Sequence, residues 1–392
     1  MFKLKNQIQN YAWGSKTAIS ELFGIENPTN EPQAEIWMGA HPGGCSRNAE
    51  NDDLLSDIIE LDKKAVLGSY TESCFGELPY LFKVLAAHTP LSIQVHPNKW
   101  KSELGFAREN EQGIALNAPN RNYRDPNHKP ELVYAITPYK AMNGFRPIEQ
   151  IIYLFDGIAL NELKKEVGLL KHYPNSKGLE RFFSSLMMLS DERKSKVISQ
   201  LEEAYQKPVA GTVREAIEYS QAFKVHYEGD IGLLSPFIFN IVELAPGEAM
   251  FLFAETPHAY IQGTALEVMA SSDNVLRAGL TPKYIDIPEL IDNLAFIPIK
   301  PEDLKTSPII TGNKEQYPIP VDDFGFDILY AKGIKQEQHV HSAEILFCVD
   351  SNIVVESQGK LIELTPGDSV FVPFSSQAYT YKGKGRLARV YN

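Results

Sequence analysis

Cysteine is scarce in this chain. Cys45, Cys74 and Cys348 are the only three in 392 residues, and no two are close enough to suggest a pair. That argues against a disulfide framework and against a cysteine-rich zinc site. Positive charge is also short: 38 Lys and Arg face 50 Asp and Glu, a formal net charge of −12. This is the wrong sign for a nucleic-acid or anionic-membrane partner, so neither is expected. An anionic small molecule would have to be met by a local basic cluster, because the overall field repels it. No apolar run reaches the roughly 18 residues of a membrane span, and the opening MFKLKNQIQNYAWGS lacks the apolar core of a signal peptide. The expectation is a cytoplasmic protein, long enough for two or three domains.

What the chain does have is a repeat. Residues 244–260 read LAPGEAMFLFAETPHAY and residues 364–379 read LTPGDSVFVPFSSQAY. Both give Leu-x-Pro-Gly-acid, an apolar run with Phe, a Pro, and a closing Ala-Tyr. Pro-Gly suits a type II turn and is common in hairpins, but here the match runs on past the turn. The informative difference is His258 in the first copy against Gln377 in the second.

Around these copies the chain changes character twice. Residues 1 to about 145 read as strands and turns, with GELPYLFKVL and PLSIQVHP the clearest strands and a short helical stretch within 98–125. From 147 to 222, Leu179, Phe182, Phe183, Leu186 and Leu189 recur at helical spacing, and SDERKSKVISQLEEAYQ opens on a Ser cap with acids in its first turn. Strands return after 225, and FIPIKPEDLKTSPII marks a boundary near 300. The fold expected is mainly β with an α-helical insertion: two antiparallel barrels or jelly rolls plus a helical domain. The first barrel is read as 1–146 and 223–300, the insertion as 147–222, and a second barrel without metal as 301–392.

Four stretches carry candidate chemistry. In LSIQVHP, Gln94 and His96 share one face of a strand about 7 Å apart, which suits two ligands of one ion, although on its own the pattern more often marks a solvated face. In YRDPNHKPE, Glu131 follows His128 and Lys129 at the start of an apolar strand. His258 closes the first repeat. In EVMASSDNVLRAGLTPK, the polar chain after a strand brings Asp273, Arg277 and Lys283, and a guanidinium fork suits a phosphate. Lys83, within LPYLFKVL, is a further basic candidate that reads first as a plain strand-face lysine.

YRDPNHKPE (123–131) and HAYIQGTALEVMASSDNVLRAGLTPK (258–283) resemble the two signatures of the type I phosphomannose isomerases. QVHP (94–97), NYAWGS (10–15), EIWMGAHP (35–42) and the RLARVYN terminus are similar to further family segments, so the resemblance spans the chain. It implies cupin barrels, one zinc ion per chain held by Gln94, His96, Glu131 and His258, and a catalytic arginine at Arg277. It also implies a small sugar-phosphate substrate and interconversion of mannose 6-phosphate and fructose 6-phosphate. Only Ser271, where relatives often carry Asn, looks unusual. The aldose–ketose reaction moves a proton between C2 and C1 through an enediol. Lys129 and His128 are candidates for that proton, Asp273 for ring opening or for orienting a neighbour, and Arg277 with Lys283 for the enediolate or the phosphate. A cupin oxygenase, a non-catalytic sugar-phosphate-binding cupin and a cupin-type glucose-6-phosphate isomerase are the alternatives. A monomer is expected. His339, His341 and Glu344 spell a second metal-cupin pattern, but Gln377 stands where the last ligand would be, so a single metal is expected.

Overall fold

Both copies of the repeat close the same turn for the same reason. In the computed structural model, which describes residues 1–392, Gly247 and Gly367 have φ of 94° and 90°. That left-handed region is open to glycine and is what the third position of a type II turn requires. The amide of Glu248 donates to Ala245 O at 2.9 Å and that of Asp368 to Thr365 O at 3.0 Å. Each acid then reaches back: Glu248 Oε2 accepts from the Ala245 amide and Asp368 Oδ2 from the Thr365 amide, both at 2.8 Å. The conserved lettering of the two copies is the turn's own hydrogen-bonding requirement.

Each turn leads through a short strand, Ala249–Leu252 or Ser369–Val372, into the long central strand of a sheet, His258–Ala270 or Ala378–Tyr391. In the 10-stranded sheet, His258–Ala270 pairs with Tyr80–Ala87, Glu131–Ala135, Gln94–Val95 and Tyr139–Phe145. In the 11-stranded sheet, Ala378–Tyr391 pairs with Gly325–Lys332, Glu344–Cys348, Gln336–His339 and Ile353–Ser357. The registers correspond. Leu252 lies opposite Glu131 as Val372 lies opposite Glu344. Glu267 lies opposite Lys83 as Arg389 lies opposite Asp327. The duplication therefore extends well beyond the 16 or so residues in which it can be read, to strands with no obvious likeness.

The two sheets share a core in which Phe82, Val84 and Tyr134 of the first meet Phe326, Ile345 and Phe347 of the second. Burying such side chains contributes about 1.5–3 kcal/mol each, which fixes one barrel against the other. On the far side, the helices Ile148–Ile158, Lys164–His172, Ser176–Met187, Asp191–Ala204 and Gly211–Lys224 cover the first barrel through Met142, Phe145, Ile93 and Val95. Ser190 caps the fourth, its Oγ accepting from the Arg193 amide. No helix is long and apolar enough to cross a membrane.

Three readings change. Residues 1–146 do not all belong to the first barrel: strand Phe2–Lys5 pairs Phe2 with Phe371 and lies in the second sheet. Residues 55–74 form three helices of five to seven residues, Leu55–Leu61, Lys63–Leu67 and Ser69–Cys74, too short to show a helical period in sequence. Finally, PLSIQVHP contributes only Gln94–Val95 as strand, since Pro90 and Pro97 lack the amides a longer ladder needs.

Candidate active site

Glu131 opens its strand inside the first barrel, and its carboxylate lies between two imidazoles. His96 Nε2 is 3.4 Å from Oε1 and His258 Nε2 is 3.4 Å from Oε2. All three residues are buried, and their ligand atoms lie within 4.8 Å of one another. The other ring nitrogens are committed: His96 Nδ1 donates to Asn274 O at 2.8 Å and His258 Nδ1 to Thr256 O at 2.9 Å. Both Nε2 atoms therefore present lone pairs to the same point, and His96 Nε2 is buried with no hydrogen-bond partner. Backbone carbonyls that fix the tautomer in this way are the usual outer support of a metal-binding imidazole. Gln94 lies on the neighbouring strand with its Cα opposite that of His258. Two imidazoles, a carboxylate and an amide oxygen fit a divalent ion of borderline softness such as zinc.

The ionisation states suit that task. Burial pushes the His96 imidazole down to about 4, so it is neutral at pH 7. Burial opposes charge on Glu131 too, but Lys129 and the two histidines outweigh it and hold the carboxyl well below its usual range. Lys129 Nζ is 3.4 Å from Glu131 Oε1, with a side chain only 11% exposed.

Behind Glu131 runs a buried polar chain. The Tyr260 hydroxyl sits 3.1 Å from Glu131 Oε2 and 2.5 Å from Glu267 Oε1. Glu267 Oε2 accepts from Lys83 Nζ at 3.0 Å, and Glu35 lies 3.9 Å beyond. Burial works against the Lys83 ammonium, but Glu267, Glu35 and Glu131 more than offset it and raise its pKa. Lys83 is thus a buried, ion-paired group in the site wall and not the strand-face lysine that its sequence context favoured. Alternation alone cannot say which face of a strand points inward.

The chain after the long strand folds back over this floor and is held there by Asp125, which accepts from the Ser272 hydroxyl and the Asp273 amide, and by Asn274. Asn274 is fully buried. Its Oδ1 accepts from the Arg124 amide at 2.6 Å, and its Nδ2 donates to Asp125 O at 2.7 Å and Asn127 O at 2.8 Å. Its own carbonyl holds His96. Both signature stretches therefore meet at a residue that sequence reading did not single out, because its partners lie some 150 positions away. Asn274→Ala is expected to loosen this junction and lower metal affinity roughly 10- to 100-fold, as loss of outer-shell support does elsewhere. Competition with a colorimetric chelator would measure it, and unchanged affinity would make Asn274 a loop residue only.

A cavity of about 510 Å³ opens above, walled by Trp13, Trp37, Lys83, Gln94, Lys129 and Arg277 among others. Asp273 sits at its rim, half exposed, with Oδ1 3.5 Å from His41 Nε2. His41 Nδ1 accepts from the Gly43 amide, so its proton is on Nε2, facing Asp273. Arg277 enters from the strand Leu276–Arg277, its Cα opposite that of Gln94. His128 does not join them. Its Nε2 lies 2.9 Å from Asp323 Oδ2, tying the site loop to the second barrel, and it is not among the residues that line the cavity.

In the second barrel the acid corresponding to Glu131 is kept, while the pair corresponding to Glu267 and Lys83 carries inverted charge. Glu344 stands where Glu131 stands, and Tyr379 donates to it at 3.1 Å as Tyr260 does to Glu131. Arg389, in the place of Glu267, grips Glu344 through Nε at 2.7 Å and Nη2 at 2.5 Å, and Asp327 through Nη1 at 2.7 Å. A guanidinium thus balances the buried carboxylate. His339 and His341 are both exposed and do not approach Glu344. One tightly held ion per chain is expected by elemental analysis, with His339→Ala and His341→Ala fully active; two ions after dialysis would sink this. Arg389→Ala should cost about 3–5 kcal/mol of stability, because it strands two buried carboxylates. An unchanged urea midpoint would count against that reading.

Residues 1–148 match the profile described as the phosphomannose isomerase type I catalytic domain, and residues 313–392 that of the mannose-6-phosphate isomerase cupin domain. The chain is 50% identical to mannose-6-phosphate isomerase of Escherichia coli K12 over 395 residues, with 100% of both chains covered. It is 35% identical to that of Homo sapiens over 416 residues, covering 98% of this chain and 93% of the other. A crystal structure of mannose 6-phosphate isomerase with zinc bound superposes with a TM-score of 0.94 at 49% identity, covering 100% of this chain and 98% of that one. One bound with zinc and yttrium gives the same values.

Proposed function

This chain belongs to the type I phosphomannose isomerase family, and from that premise we propose that it interconverts D-mannose 6-phosphate and D-fructose 6-phosphate through an enediol. Its metal ligands are Gln94, His96, Glu131 and His258, and its catalytic groups are Arg277, Lys129 and Asp273. The observation that carries the reading is the buried triad with two imidazole lone pairs aimed at one point, with Lys129 against it. The bound ion, zinc in the relatives crystallised with it, supplies Lewis acidity toward the substrate's oxygens.

The chain's own residues do the rest. Lys129 is the cavity-lining group near enough to the triad to hold and return the proton that moves between C2 and C1. Arg277 stabilises negative charge as it develops on the carbonyl oxygen. Asp273, aligned by His41, serves opening of the sugar ring at the rim. The ion pair of Lys83 with Glu267 and the Tyr260 hydroxyl keep Glu131 in place from behind.

The test is turnover of mannose 6-phosphate in deuterated water. Fructose 6-phosphate carrying solvent deuterium at C1 supports the enediol; binding without turnover would make the protein a sugar-phosphate receptor. Preferential turnover of glucose 6-phosphate would transfer the assignment to the other epimer.

A further inference from the structure

The first barrel holds both ends of the loop that carries Lys129, but not its middle. At one end, Asp125 Oδ1 accepts from the Asn127 amide at 2.9 Å, and Asn127 Nδ2 donates to Ser271 O at 3.2 Å. The Asn127 carbonyl accepts from Asn274 Nδ2. At the other end, the Pro130 carbonyl accepts from the Ala270 amide at 3.2 Å. Between those two carbonyls the chain makes a single hydrogen bond to a distant residue, that of the His128 imidazole with Asp323. Pro130 has no amide with which to add another.

The two side chains in that gap diverge: Lys129 lines the cavity and His128 does not. Their Cα atoms are one peptide link, about 3.8 Å, apart. An imidazole fixed on the outer side therefore limits where the ammonium on the inner side can reach. Asp323 supplies that fixed point. It is 6% exposed, and His128 is its only ion-pair partner within 4.0 Å. A carboxylate so buried is costly unless paired, which favours the one geometry that pairs it. Because a carboxylate only accepts, His128 Nε2 carries the proton between them. The segment around Asp323 is itself held. Phe324 lies in the core shared by the two barrels, and the Tyr317 hydroxyl donates to Gly247 O, in the first barrel, at 3.0 Å.

We propose that Asp323, contributed by the second barrel, is a positioning residue for Lys129 and acts through His128. The inference rests on the reading of Lys129 as the group that carries the proton between C2 and C1. It gives the second barrel a part in the reaction besides packing: a buried acid on its loop sets the place of an amine in the other barrel's cavity.

The test uses full-length, metal-loaded wild-type protein with Asp323→Ala, Asp323→Asn, Asp322→Ala and Lys129→Ala. Turnover of mannose 6-phosphate gives kcat and KM. Amide hydrogen exchange, read by mass spectrometry on residues 123–131 with helix Asp191–Ala204 as internal control, reports on the loop independently of catalysis. Asp323→Ala is expected to lower kcat about 10- to 100-fold, the scale of an ångström-sized misplacement, with KM within about threefold and metal content unchanged. Exchange should quicken in 123–131 and not in the control helix. Asp323→Asn, whose amide oxygen still accepts from Nε2, should recover most of both. Asp322→Ala, at the exposed neighbouring position, should behave as wild type. Wild-type kcat in Asp323→Ala while Lys129→Ala is inactive would overturn the proposal, whatever happens to the melting temperature, since that describes an ordinary tie between barrels. Quickened exchange in Asp323→Ala with wild-type turnover in Lys129→Ala would instead remove Lys129 as the proton carrier, and leave only the hold of Asp323 on the loop.

Discussion

Chelation is expected to abolish turnover in this protein and to leave its fold standing. The expectation comes from where the proposed ligands are. Gln94, Glu131 and His258 lie on strands whose pairing partners are protein: Gln94 opposite His258 and Arg277, Glu131 opposite Leu252 and Met269. None of those ladders needs an ion, and the core shared by the two barrels is apolar. Metal binding is folding energy only where no core exists without it. His258→Ala isolates the point, because its ring contributes one hydrogen bond, to Thr256 O, besides the Nε2 that faces Glu131 at 3.4 Å. Metal occupancy should collapse while the melting temperature moves by only a few degrees. Residual metal by emission spectrometry and unfolding by circular dichroism measure the two separately. Full activity in protein freed of metal would end the metal hypothesis.

Arg277→Ala is expected to lower kcat/KM by about 10²–10³, the typical cost of one charge-stabilising donor in a water-poor site. Stability should hold or rise slightly, since no carboxylate is left unpaired and the repulsion of Arg277 by Arg124 disappears. Few catalytic substitutions predict both signs at once. Arg277→Lys should also be poor, because an ammonium restores the charge without the planar fork. A near-normal kcat/KM in either variant would assign the role elsewhere. A large loss of stability would show that Arg277 is part of the framework instead.

The parts of this molecule that could be read in sequence are those whose cause is local. The Pro-Gly turns announced the duplication because their hydrogen bonds close within four residues. Strand alternation sets Gln94 and His96 on one face, yet the strand ends at Val95 and His96 lies just beyond it. Lys83 could not be placed: the same alternation allows it to face water or the barrel interior, and only the pairing with Glu267, 184 residues away, decides. Asn274 and His128 failed for the same reason, in opposite directions. One is a structural hub made by loops that converge from afar, and the other a signature residue whose imidazole turns out to face Asp323. The charge inversion at Arg389 was hidden too, since a strand terminus reading RLARVYN gives no hint that one arginine stands where the first barrel has a glutamate.

The first strand has a consequence for how the molecule is made. Phe2 and Lys3 pair with Phe371 and Val370, so this strand finds its partner strand more than 360 residues further along the chain. The strand's Leu4 and Lys5 can pair at once with Asn48 and Arg47, but the edge that meets Ser369–Val372 stays open until those residues have been made. Such a contact is distant in sequence and slow to form, and an unpaired edge exposed meanwhile invites pairing with other chains. Cutting away residues 1–5 should therefore depress the yield of correctly assembled protein far more than it depresses the activity of the molecules that do assemble.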